Sequence, residues 1–233
     1  SPVTVNAAQV PSAQTNFPML VSYTDARLKT VGNGGHVQNA NGYDIRPYDA
    51  VGGSAMTFEL ERYNASTGEV IMWVLVPSCD VGSIVYLYYG DATISTNGSS
   101  TSTWDSNYKR VLHLPDGTTL SANDSTSNAA NGTVTGSAAA AGKIDGGVLM
   151  NSSTTDYITF TDTPLTSAQA FSISWWEKVT ADTNNFPSRL CIPMNGSSDR
   201  LLIVGNKNGA FNTPFFWGRS AGATVMRALG GAS

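Results

Sequence analysis

Between Thr57 and Tyr89 the chain carries three strand-length runs in close succession. Thr57–Tyr63 alternates, with Phe58 and Leu60 on one face and Glu59, Glu61 and Tyr63 on the other, the period-two pattern of a strand with one buried side. Ile71–Val76 and Ile84–Tyr89 are apolar at odd and even positions alike, which predicts central strands covered on both faces. The breaks, Asn64–Gly68 and Pro77–Gly82, are rich in Asn, Ser, Gly, Pro and Asp, residues that supply turn geometry.

The same reading extends both ways. Ser1–Asn6 and Asn16–Ser22 are expected strands, with Pro18 near the start of the second, where a missing N–H is tolerated. Asp25–Lys29 reads as a helical turn, Gly32–Gly35 and Asn39–Gly42 as loops, and Tyr43–Arg46 as the start of another strand. These elements close a first β-sandwich near Gly90. Asp91–Thr103 is small, polar and without periodicity, as a connection is. Beyond it, Tyr108–Leu114, Gly132–Thr135, Asp156–Thr161, Phe171–Val179, Arg200–Gly205 and Phe215–Gly218 read as strands, and Ala138–Ala141 as a run of small residues that need not be helical. The expected fold is all-β: two tandem antiparallel β-sandwiches, residues 1–97 and 104–233, joined by a linker at 98–103.

Composition narrows the partners. Charged residues make up 13% of the 233, about half the usual share of roughly 25%, while 41% are apolar, enough to bury a core. The net charge is −4 and no Lys/Arg cluster occurs, so nucleic acid is not an expected partner. No apolar run is long enough to span a bilayer, so no membrane insertion is expected. Cys79 and Cys191 fall in different expected domains and show no metal or redox spacing, so two free thiols are expected over one disulfide between them.

Two resemblances add to this. Asn16–Val21, Gly34–Asn39 with Gly42–Ile45, Phe58–Tyr63, Gly68, Trp73-Val74 with Pro77, and Val85–Gly90 resemble a bacterial and phage domain family of unknown function. From Trp104 the chain is similar to concanavalin A-like lectin/glucanase domains of the laminin-G type. Trp104-Asp105, Val111–Leu114, Asn123–Thr126, Asn131–Val134, Gly146-Gly147, Asp156–Ile158 and Phe171–Trp176 carry that likeness. It implies a jelly-roll second domain, here with fewer strands than such a domain needs and expected to be C-terminally incomplete. The pairing of the two families implies a phage tail, fibre or other virion surface, or a secreted or cell-surface bacterial protein. Other virion subunits, a cell-surface glycan and homo-oligomer contacts are the expected partners.

Candidate chemistry is sparse. Glycoside hydrolysis needs two carboxylates about 5–9 Å apart, and glucanases of the resembled fold carry them in a Glu-x-Asp-x-x-Glu run that this chain lacks. Glu59 and Glu61 share a strand face at roughly 7 Å, and a solvated face is the simpler explanation for them; no catalytic residue is assigned. His113 lies inside an apolar run and suits a hydrogen-bonded structural role, whereas His36 suits a turn or an interface. Oxygen-rich Asn123–Asn128 with Asn131 is either a polar turn or a calcium loop with Asp124 and Asn128 as ligands. For a sugar, Trp176 is the expected platform, flanked on its face by Ser174 and Lys178, with Trp217 and Arg219 as a second candidate pair. Phe171, Ile173 and Trp175 are assigned to the core face of that strand, and a Trp176 packed under a loop remains the simpler alternative.

Overall fold

A computed structural model describes residues 1–5, 10, 12–115, 120–150, 156–161, 171–176, 178, 188–193, 200–204, 215–220 and 223–229. Its strands are β1 (Pro2–Thr4), β2 (Gln14–Thr24), β3 (Arg46–Tyr48), β4 (Phe58–Asn64), β5 (Glu69–Cys79), β6 (Ile84–Tyr88), β7 (Thr133–Thr135), β8 (Ala138–Ala141), β9 (Gly146–Leu149), β10 (Tyr157–Thr159), β11 (Ser188–Pro193), β12 (Arg200–Val204), β13 (Phe215–Ser220) and β14 (Ala223–Leu229). The fold is all-β, and the paired strands are antiparallel. Among the described residues no helix is long and apolar enough to cross a membrane.

Ser1–Asn131 and Ala138–Leu149 form one compact unit, and Gly132–Ser137 with Met150–Ser233 form another. In the first, sheets ordered β2-β5-β4 and β1-β6-β3 enclose the core. Val21, Phe58, Val70, Met72, Val74 and Val76 come from one sheet, and Val85 and Leu87 from the other. Leu28, Val37 and Ile45, from the segment between β2 and β3, are fully buried among them. The hairpin β8-β9 also belongs to this unit. The second unit contains the pair β10-β7 and the meander β11-β12-β13-β14.

β5 is central and covered on both faces, as its apolar run predicts. Val70, Met72, Val74 and Val76 face the core, while on the other face Ile71 is buried and Trp73 and Leu75 are half-buried. β6 is also central, but only Val85 and Leu87 are buried, and Tyr88 is 40% exposed. Its outward tyrosines need no second layer: the Tyr88 hydroxyl accepts from the Gly52 N–H (2.9 Å), and its ring lies 4.8 Å from that of Tyr48.

β4 departs from simple alternation. Leu60 pairs with Met72 and Arg62 with Ile71, so Glu61 is an extra residue in a β-bulge. The bulge returns Tyr63 to the core side, opposite Val70, where its hydroxyl donates to the Leu28 carbonyl (2.7 Å). The expectation that Tyr63 shares a face with Glu59 and Glu61 is therefore corrected.

Other expectations shift for local reasons. β3 begins only at Arg46, because the Asp44 carboxylate accepts from the Gln38, Asn39 and Gly90 N–H groups and holds its neighbourhood in a loop. Tyr108–Leu114 is not a strand and makes one isolated bridge, Leu112 to Asp124. Phe171–Trp176 is not in a strand either. The alanine run becomes β8, paired with β9. Residues 98–103, read from the sequence as a linker, lie along the free edge of β4. There the Ser100 N–H donates to the Phe58 carbonyl (2.9 Å) and the Leu60 N–H to Ser99 Oγ (2.8 Å). Small hydroxylated residues suit that position because they satisfy an exposed edge.

The β4–β5 hairpin is closed by Asn64, whose Oδ1 accepts from the Ser66 and Thr67 N–H groups, and by Gly68 at φ 75. A Cβ on Gly68 would collide with the Asp25 carbonyl. Gly68→Ala is expected to destabilise the first unit by about 2 kcal/mol or more, read as a lowered urea midpoint; a loss under roughly 0.5 kcal/mol would show that the turn relaxes freely.

Candidate functional site

The chemistry-bearing side chains of the first unit converge on the outer face of β4 and β5. The bulge leaves Glu59 and Glu61 turned away from the core, beside Trp73 of β5. The segment after the 3-10 turn Thr101–Thr103 crosses this face and brings Trp104, His113 and Ser125 to it. His113 Nε2 lies 3.1 Å from Glu59 Oε2, and His113 Nδ1 lies 3.1 Å from Glu61 Oε2. Glu59 Oε2 also accepts from Trp104 Nε1 (2.7 Å), and Oε1 accepts from Ser125 Oγ (2.6 Å). Glu61 Oε2 accepts from Trp73 Nε1 (2.6 Å). The rings of Trp73 and Trp104 are 5.1 Å apart, and each lies 6.0 Å from the His113 ring.

These groups are shielded: the side chains of His113, Glu59 and Glu61 are 11%, 18% and 3% exposed. Glu59 and Glu61 are thus not the solvated strand face that their spacing also allowed. Burial opposes the charge on His113, but the two carboxylates outweigh it and raise its pKa to about 9. Burial likewise opposes the charge on Glu59. Hydrogen bonds from His113, Ser125 and Trp104 outweigh it and hold the carboxyl below its usual value. With both ring nitrogens protonated, the state that the raised pKa favours at neutral pH, His113 has no lone pair to act as a base. The arrangement is a clamp that fixes the crossing segment to the sheet.

A second carboxylate ties that segment together. Asp124 Oδ1 accepts from the Val111 and Thr126 N–H groups (2.9 and 3.0 Å), and Oδ2 from Thr126 Oγ1 and the Ala130 N–H (2.8 and 3.0 Å). Asn128 Nδ2 donates to the Tyr108 and Lys109 carbonyls, both at 3.1 Å. The loop read from the sequence as a polar turn or a calcium loop is held by the protein's own donors. Among the described residues no group of three or more His, Cys, Asp or Glu is arranged to hold a metal.

In the second unit, Ser174, Trp176 and Lys178 are all exposed, Trp176 at 70%. Phe171 and Trp175, expected on a core face, are 40% and 42% exposed. Without a strand there is no alternation to sort these side chains into two faces. Trp217 and Arg219 lie on β13, in register with Leu202 and Arg200 of β12.

Residues 41–126 match the model of a domain family of unknown function, DUF2341. The matched stretch takes in β4 to β6 and continues through Trp104, His113 and Ser125, so it contains the entire clamp. No curated protein and no solved structure matches the chain.

Removing one arm of the clamp leaves the others buried without their partner. Glu59→Gln is expected to cost about 2–4 kcal/mol of unfolding free energy at pH 7, read by urea denaturation. A cost below about 0.5 kcal/mol would place Glu59 with ordinary surface ion pairs.

Proposed function

We propose that this chain is a non-catalytic structural and recognition protein of an extracellular or virion surface, such as a phage tail or fibre. In this reading residues 1–97 are a scaffold and residues 104–233 carry a lectin-like, concanavalin A-like domain that meets a glycan or neighbouring subunits. The observation that carries it is Trp176, 70% exposed beside exposed Ser174 and Lys178. A largely exposed aromatic ring offers an apolar face for a sugar ring, and Ser174 and Lys178, two positions away on either side in sequence, are hydrogen-bonding groups for its hydroxyls. The clamp supports the non-catalytic part, because its imidazole and carboxylates are engaged with one another.

A second reading draws on the same exposed aromatics: a carbohydrate-binding module accessory to a polysaccharide-degrading enzyme. Mass in solution separates the two, since a virion part is expected to be a homo-oligomer and an accessory module a monomer.

Wild type and Trp176→Ala on a glycan array test the recognition role. The expected outcome is binding by wild type that falls about tenfold or more in the variant, with the urea midpoint unchanged. No glycan signal from either form would remove the lectin role and leave assembly alone. Sugar release abolished by Glu59→Gln would overturn the non-catalytic reading.

A further inference from the structure

The clamp imposes a protonation requirement on geometry alone. Each ring nitrogen of His113 lies 3.1 Å from a carboxylate oxygen. A neutral imidazole carries hydrogen on one nitrogen only, so its other lone pair would point at a carboxylate oxygen in a poorly solvated site. The observed arrangement is favourable when both nitrogens carry hydrogen.

What the clamp holds is equally specific. Trp104 and His113 lie against Trp73 on the outer face of β5, the face that also carries Ile71 and Leu75. Other charged groups nearby are engaged elsewhere: Arg62 pairs with Asp145 and Glu69, and Arg110 donates to the Ala130 carbonyl. Tyr108 meets the cluster through its ring contact with Trp104. Among the described residues, the titratable groups that face His113 are Glu59 and Glu61 of β4. The neutral donors Trp73, Trp104 and Ser125 complete the cluster.

We propose that Glu59, His113 and Glu61 form a proton-gated latch: the Trp104–His113 segment stays clamped over the outer face of β5 while both ring nitrogens carry hydrogen, and is released when one proton is lost to solvent. The direction follows from linkage. The folded state raises the proton affinity of His113, so the clamp contributes fully below the ordinary histidine value of 6.5 and loses that contribution as pH rises toward about 9. Opening therefore occurs on the alkaline side and uncovers Trp73. The latch operates within the first unit and is independent of any ligand of the second.

Histidine-ring and amide NMR on the isotope-labelled full chain, titrated from neutral to alkaline pH, tests this. At neutral pH both His113 ring nitrogens are expected at protonated shifts. On raising the pH, the ring, the Trp104 indole N–H and the Ser125 amide are expected to change together with one midpoint near 9. Glu61→Gln should lower that midpoint by about one pH unit or more and carry the Trp104 and Ser125 signals with it. A neutral His113 tautomer at pH 7.5, or Trp104 and Ser125 signals that ignore the His113 titration, would overturn the latch. If Glu61→Gln does not fold, the wild-type titration alone decides between these results.

Discussion

β5 carries apolar side chains on both sides of its sheet, and the first unit is organised around covering them. One side is covered in the usual way, by the second sheet. On the other, the crossing segment from Trp104 onward lies against Trp73 and supplies cover. Ile71, Trp73 and Leu75 would otherwise be a contiguous apolar strip on a three-stranded sheet, the kind of surface that associates with whatever meets it. A unit ending with β6 would lack its outer layer, and the matched family domain extends to Thr126 accordingly.

The cover is fastened by charge as well as by apolar contact. Shielding two carboxylates and an imidazolium costs solvation, and such clusters seldom out-stabilise well-packed apolar side chains. What the cluster adds is selectivity. Glu59 requires the Trp104, His113 and Ser125 donors together, so a segment without that spacing would leave shielded carboxylates unsatisfied. The bulge at Glu61 is part of the same device: an additional residue in β4 lets two glutamates bracket one ring while Tyr63 returns to the core.

How far the sequence could be read depended on whether a side chain's partner lay nearby along the chain. β1, β2, β4 and β5 were legible because alternation and turn residues are local signals. β12 and β13 were legible for the same reason, whereas small residues blur the period in β9 and β14, and β11 is a short run broken by Arg and Pro. The clamp was not legible as a unit. Glu59 and Glu61 could be picked out as the close glutamate pair, and His113 as a buried, hydrogen-bonded histidine. Nothing in their spacing showed that 54 and 52 positions of chain fold back to join them. Trp104 and Ser125 were missed as site residues, although a tryptophan heading a polar stretch is a signal that something apolar waits for it. Tyr108–Leu114 looked like a strand because its apolar residues have strand spacing, but the backbone N–H of Val111 goes to Asp124 and no ladder forms.

Hydrogen exchange tests most directly whether the crossing segment is an integral layer of the first unit. The Val111 amide is bonded to Asp124 Oδ1 and the Ser125 amide to the Val111 carbonyl, each at 2.9 Å. At neutral pH, with the clamp closed, both are expected to exchange with the same opening free energy as Met72 and Val74 of β5, because the protonated clamp fastens cover to sheet. Exchange at Val111 and Ser125 faster by about a hundredfold or more at neutral pH, with β5 still protected, would mean that the closed clamp does not fasten the cover to the sheet and would contradict the account.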